Sequence, residues 1–244
     1  MQLTDDEIRQ IILEERKRRK KKQKIKRRIT LALLLLLIIF LGVGIFMNRG
    51  ARTTARGVIF IDPGHGGVDG GSVVGERCEK DDALALALAV SEDLKDQGFK
   101  VYLSRTDDSD VERSKRGEMA NEKNAGLMVS IHRNKAEEGN GVEVYIPSSN
   151  TKESQLLGNN VMKALVSQGF LERSVRAGTL VTSNDDYLEN SVPTMPSCLV
   201  EVGFMQDAGD NKIFDEKRDD IAKALSDAIT ETYAAIYESE EEEQ

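Results

Sequence analysis

Two histidines and two cysteines are all that the 244 residues contain, and there is no internal repeat. Any metal site here has at most two imidazoles and must find a further protein ligand elsewhere, for which carboxylates are the candidates. Cys78 and Cys198 offer at most one bridge. Cys198 lies inside an apolar run, which favours a buried thiol over a disulfide spanning 120 residues. Positive charge is also outnumbered over most of the chain. Residues 1–50 carry 13 Lys/Arg against 5 Asp/Glu, while the whole chain is −8, leaving −16 for residues 51–244. An acidic body argues against nucleic acid as a partner, because phosphate binding needs clustered cations to release counterions.

The basic residues that exist are concentrated. Between Arg16 and Arg28, 11 of 13 residues are Lys or Arg, and the uncharged 19-residue run 29–47 follows directly. A helix needs roughly 20 such residues to cross a hydrocarbon core. A cleaved signal peptide is the rival reading, but its apolar stretch is about 7–15 residues followed by a small-residue site. The longer run here and the lack of a clear site favour an uncleaved anchor. The positive-inside bias then places the N-terminus in the cytoplasm and everything after Asn48 outside, at the cell membrane. The expected organisation is a basic cytoplasmic segment 1–28, a transmembrane anchor 29–47, a linker 48–57, a folded domain 58–238 and an acidic tail 239–244.

From residue 58 onward, strands alternate with helices. Strands are predicted over 58–61, 100–103, 127–131, 141–146 and 198–202, the fourth alternating outward and inward. Helices are predicted over 81–97, 111–123, 154–167 and 219–238, with Leu84, Leu88 and Leu94 as core positions of the first. Residues 170–196 are polar and show no clear period. This alternation implies an α/β fold, a single domain with a mostly parallel or mixed sheet flanked by helices. Ligands in such sheets gather at the carboxyl ends of strands. Both histidines lie there: His65 follows the first strand in IDPGHGG, and His132 ends the third in VSIHRN. Glu201 sits in the last strand in CLVEVGF. Asp69, Glu76 and Glu79 are the acidic candidates for a third ligand after the glycine-rich turn. That turn could in principle cradle phosphate, but no P-loop Lys-Ser/Thr follows it.

IDPGHGG, Glu79-Lys80, RGEMAN, SIHRN and PSCLVEVGF occur in that order. This ordered set resembles the zinc-dependent N-acetylmuramoyl-L-alanine amidases of the amidase_3 family, and the resemblance spans essentially all of the chain beyond the anchor. It implies a sheet of about six strands, one Zn2+ held by His65, Glu79 and His132, and Glu201 as catalytic base. It also implies peptidoglycan as substrate, and a protein activator is a further partner it allows. Three positions depart from the family pattern: Lys135 stands where a small residue is common, Gln206-Asp207 where Ser-Asn is frequent, and NSVPTMP is slightly long.

Hydrolysing an amide near neutral pH needs a nucleophilic water, a Lewis acid and a proton for the leaving amine, which this set could supply. Asp62 is expected to orient an imidazole or to cap the turn. Arg116, Asn121 and Asn134 are candidates for ordering the site or touching substrate, with plain structural hydrogen bonding the alternative for each. Two rival functions remain at this level: a non-catalytic wall-binding or regulatory protein that kept the fold, and a zinc deacetylase or peptidase acting on another amide.

Overall fold

A computed structural model describes residues 55–149 and 151–238, together with Arg18. The predicted span 29–47 lies outside them. Among the described residues, no helix is long and apolar enough to cross a membrane.

Six strands form one sheet: β1 (Val58–Pro63), β4 (Lys100–Leu103), β5 (Leu127–Asn134), β6 (Val142–Ile146), β7 (Glu172–Ala177) and β8 (Ser197–Phe204). Their order is β4-β1-β5-β8-β6-β7. All neighbours run parallel except β6 and β8, so the sheet is mixed. A two-stranded hairpin, β2 (Val73–Val74) with β3 (Arg77–Cys78), stands apart from it. The helices are α1 (Glu79–Asp96), α2 (Arg113–Glu122), α3 (Lys152–Ser167), α4 (Leu188–Ser191), α5 (Ala208–Glu216) and α6 (Arg218–Tyr233).

The two sheet faces are covered unequally, and this decides where chemistry can occur. Strand residues alternate between faces with a period of two. Ile59 and Ile61 of β1, Leu127, Val129 and Ile131 of β5, and Cys198, Val200 and Val202 of β8 enter the large core with Leu86, Leu157, Leu225 and their neighbours. The alternate positions face a much smaller cluster of Phe60, Met128, Ala120 and Ala125. Asp62, Ser130, His132 and Glu201 share the parity of this thinner side. A one-residue slip in β5 or β8 would drive His132 or Glu201 into the apolar core, so burial of the opposite face enforces the register.

Several expectations need correction. Of the expected core positions of α1, Leu94 is buried, but Leu84 is half-buried and Leu88 is 37% exposed; the helix turns Ala83, Leu86, Ala87 and Val90 inward instead. The helix starts at Glu79 rather than 81, with Glu79, Asp81 and Asp82 in a first turn that the helix dipole favours for acids. Strand β6 does not alternate: all five residues are buried, Val142, Val144 and Ile146 in the large core and Glu143 and Tyr145, hydrogen-bonded to each other, on the opposite face. The polar stretch 170–196 contains β7 and α4, and the predicted closing helix 219–238 is α6 followed by a π-helical turn, Ala234–Glu238, with α5 preceding it. Cys198 is buried and Cys78 partly buried, and the two are not joined. Burial pushes the Cys198 thiol up to about 12, which keeps it unreactive.

Candidate active site

The site lies at the carboxyl ends of β1, β5 and β8, in a cavity of about 490 Å³. That volume is within the range of small-molecule sites, about 300–1,000 Å³.

His65 follows β1 on a turn that bends its own backbone into the left-handed region (φ 59°), where a β-carbon is disfavoured. Two guanidiniums hold this turn by its carbonyls. Arg116 donates to Asp62 Oδ1 and Pro63 O at 2.8 Å and to His65 O at 2.8 Å. Arg105 donates to Pro63 O at 3.1 Å and Gly64 O at 2.7 Å. The His65 Nδ1 lies 2.8 Å from Asp69 Oδ2, which directs its Nε2 inward.

Glu79 opens α1 because the hairpin turns the chain there: its N–H donates to Ser72 O, while Glu79 Oε2 accepts from Ser72 N at 2.8 Å. Its Oε1 lies 3.1 Å from His65 Nε2 and 2.8 Å from His132 Nδ1, and accepts from Arg133 N at 3.1 Å. Two imidazoles and one carboxylate thus present ligand atoms within 4.8 Å of one another. His132 is not at the end of its strand as expected, since β5 runs on to Asn134 with an irregularity after His132.

Glu201 is the register partner of His132 on β8. His132 Nε2 and Glu201 Oε2 are both enclosed and find no hydrogen-bond partner among the described residues. Buried polar atoms are nearly always satisfied, so two orphans flanking a convergent donor set point to a missing ligand. Two nitrogens and a carboxylate oxygen suit a zinc ion with an open position.

The electrostatics follow from burial. Desolvation opposes charge on Glu79, yet hydrogen bonds to both imidazoles hold it far below the usual carboxylate range. Desolvation likewise opposes protonation of His132, but Glu79 outweighs it and lifts the imidazole to about 9. His65 is raised for the same reason, with Asp69 adding to Glu79. Glu201 has no such partner: burial first, then the charges of Glu79 and Glu143, outweigh the attraction of His132 and push it up to about 7.

The other expected residues divide. Asp62 does not touch an imidazole. It is fully buried and accepts from Ser104 Oγ at 2.5 Å, Ser130 Oγ at 2.6 Å and Arg116, so it anchors the guanidinium that holds the His65 turn. Arg116 therefore orders the site from beneath. Asn134 lines the cavity and donates to Glu143 Oε2 at 2.9 Å. Asn121 is elsewhere, fastening Val192 and Thr194. Glu76 is exposed on the hairpin turn and outside the donor cluster.

Sequence reasoning missed Arg105, Glu143 and the pair Arg113–Glu189. Glu143 is the register partner of Glu201 from β6 and also accepts from Arg173 and Tyr145. An acid inside the apolar strand VEVYI was the available signal.

Asp62→Asn is expected to destabilise the fold by about 3–5 kcal/mol, because it leaves Arg116 charged and buried without its counterion. Burial opposes ionisation of Asp62, but Arg116 and the two serines hold its pKa below the ordinary value. Its contribution is therefore present above about pH 4 and lost as pH falls through the depressed folded value. Urea unfolding of both proteins at pH 7 and at pH 3 measures it; a difference that does not shrink in acid would contradict the pairing.

A mixed α/β sheet with two histidines and one carboxylate converging at its carboxyl edge, beside a half-buried glutamate whose Oε2 is enclosed, is an arrangement that suits a hydrolase. The family model of the N-acetylmuramoyl-L-alanine amidases, Amidase_3, matches residues 59–231, and the chain belongs to this family. It is 29% identical to the germination-specific N-acetylmuramoyl-L-alanine amidase of Bacillus subtilis, over 70% of this chain and 78% of that protein. It is 35% identical to the sporulation-specific amidase of the same organism, over 64% of this chain and 59% of that protein. Among solved structures, an N-acetylmuramoyl-L-alanine amidase from Clostridium difficile 630 matches with a TM-score of 0.66 at 29% identity, covering 73% of this chain and 97% of that one. The CwlD amidase from Clostridioides difficile, solved in complex with the GerS lipoprotein, matches with a TM-score of 0.63 at 28% identity, covering 74% and 100%.

Proposed function

We propose that this chain hydrolyses the amide between the lactyl group of N-acetylmuramic acid and the L-alanine of the peptidoglycan stem, with one Zn2+ held by His65, Glu79 and His132. The convergence of those three side chains beside the unpartnered Glu201 carries the reading. Zinc, when bound, supplies a Lewis acid that acidifies water and polarises the scissile carbonyl. The protein's own work is to hold charge and move one proton. Asp69 fixes the His65 tautomer so that Nε2 is free to ligate. Glu201 Oε2 takes a proton from the attacking water and returns it to the departing alanine nitrogen, which leaves as an amine while the lactyl group becomes a carboxylate. A carboxyl group raised by burial suits this double role, since it both accepts and gives up a proton near neutral pH.

A non-catalytic wall-binding protein is less well supported, since none of the four residues has been lost. In our reading, residues 29–47 anchor the protein in the cell membrane, with the N-terminus cytoplasmic and the catalytic domain outside, facing the wall. Similarity to germination- and sporulation-specific amidases supports a role in spore-wall remodelling, and the relative solved in complex with a lipoprotein supports a protein partner, for which an activator is our reading.

Incubating the full-length zinc-loaded protein with purified sacculi tests the activity. Release of stem peptides bearing a free L-alanine amine, without new reducing sugar ends, is the expected outcome. Intact sacculi, with or without candidate activators, would sink the proposal; cleavage at another amide would reassign it.

Gly64 adds a sharper test. A β-carbon there would meet His132 Nε2 at 2.5 Å and Nδ1 at 2.6 Å, so the ring must move. Gly64→Ala is expected to weaken zinc binding by about 10–100-fold, as perturbing the support of a ligand does. Competition with a zinc chelator measures this, and unchanged affinity would show that the ring is not held where the ion binds.

A further inference from the structure

The cavity that contains the donor cluster also contains a salt bridge that the mechanism does not use. Arg113 opens α2, and Glu189 lies in α4. Arg113 Nε donates to Glu189 Oε1 at 3.1 Å and Nη2 to Oε2 at 3.2 Å. Both residues line the cavity, yet the Glu189 side chain is 2% exposed while that of Arg113 is 54% exposed. A positive charge at the start of a helix is opposed by the helix dipole, so helix stability does not account for an arginine here.

The geometry of the pairing is informative. A guanidinium carries five N–H donors in a rigid planar fork. The side-on contact with Glu189 consumes the Nε–H and one Nη2–H. The end-on fork, made by Nη1 and the other Nη2–H, has no partner among the described residues, and it matches a second carboxylate. Glu189 thus sets the guanidinium in place and leaves its binding edge free. Arg113 also lies close enough to Asp69, the residue that orients His65, for that charge to reinforce its own. Neither of the other Lys/Arg side chains lining the cavity offers a free guanidinium fork. Arg133 is tied to Asp82 and Asn211 at 2.7 and 2.8 Å, and Lys135 Nζ donates to Val73 O at 2.8 Å.

We propose that Arg113, positioned by Glu189, is a specificity-determining residue that binds a carboxylate of the stem peptide close to the scissile bond. The inference rests on the proposed amidase activity. The first such group beyond L-alanine is the α-carboxylate of a γ-linked D-glutamate, which becomes a neutral amide when that residue is D-isoglutamine. The site therefore prefers the free acid, because an amide replaces two charge-assisted hydrogen bonds with at most one ordinary acceptor and adds a donor facing donors.

Two muramyl peptides that differ only in this carboxylate or carboxamide, given to the full-length zinc-loaded protein, form the test. The expected preference in kcat/KM is about tenfold or more for the acid, as for loss of a hydrogen bond to a charged group. Arg113→Lys keeps a cation for Glu189 but removes the fork, and Arg113→Met with Glu189→Gln removes both charges together; in each the preference should fall to about threefold or less, with unfolding curves confirming the fold. A wild-type ratio near one, or a preference that survives both replacements, overturns the inference. Calorimetric titration of the same compounds reads the preference without turnover. Equal affinities overturn it whatever the hydrolysis assay shows, whereas a binding preference with hydrolysis of neither compound counts against the amidase reading alone.

Discussion

Glu201→Gln is expected to bind zinc as the native protein does and to lose about 10²–10⁴ in kcat, the usual contribution of a positioned general acid–base group. The substitution keeps the shape of the side chain and removes its ability to hold a proton at Oε2. Because Glu201 Oε2 is enclosed without a partner, the neutral amide should also leave the metal-free protein at least as stable as before, since the desolvation that raises the carboxyl no longer acts against folding. Activity and stability should thus move in different directions. Metal analysis, a sacculus digestion assay and thermal unfolding on one preparation distinguish the outcomes. Retention of most activity would remove Glu201 from the mechanism, and loss of zinc would show that it acts on the metal site instead.

Zinc affinity should rise with pH by at least about tenfold per unit through neutrality, because the ion must displace the proton that Glu79 holds on His132 and, in part, one that it and Asp69 favour on His65. In the metal-free protein burial disfavours that proton, but Glu79 retains it up to about pH 9. The sign for stability is the reverse. A histidine whose folded pKa exceeds its unfolded value of about 6.5 stabilises the fold fully below that value and ceases to do so as pH rises through about 9. Metal-free protein should therefore lose stability over that alkaline window, and zinc should protect it most there. Calorimetry in buffers of different ionisation enthalpy should register at least about one proton released per zinc at pH 7, from His132 and in part from His65. No proton release would show that His132 is neutral before the metal arrives. His132→Ala removes a ligand and leaves Glu79 to His65 alone, so zinc binding should be lost outright.

Much of the site could be read from local pattern because its residues sit at the carboxyl ends of strands that announce themselves. IDPGHGG is an apolar run ending in a turn, SIHRN carries its histidine at the end of the apolar run LMVSI, and LVEVGF places one acid in an otherwise apolar strand, a position too costly to occupy without a use. What failed to show were features that depend on partners distant in the chain. Asp62 was expected to orient an imidazole or to cap the turn, yet its carboxylate is taken by Ser104, Ser130 and Arg116. Asn121 belongs to a motif that passes close to the site, but its amide is used to hold residues 192–194. Strand β7 carries the polar sequence ERSVRA at the edge of the sheet and has no hydrophobic period to reveal it.

By itself the sequence determined the alternation of strands and helices, the family, and which histidines and glutamates are available, because these follow from short-range periodicity and from the scarcity of such residues. The resemblance already pointed to Glu79; the tertiary structure alone decided how its carboxylate meets both imidazoles, that Glu201 stands opposite His132 with its Oε2 unpartnered, and that Arg113 reaches the same cavity. Each of those depends on sheet register and on the packing of α1, α2 and α4. Convergence in space between residues tens of positions apart has no local signature, since it is set by burial of the opposite face of the sheet.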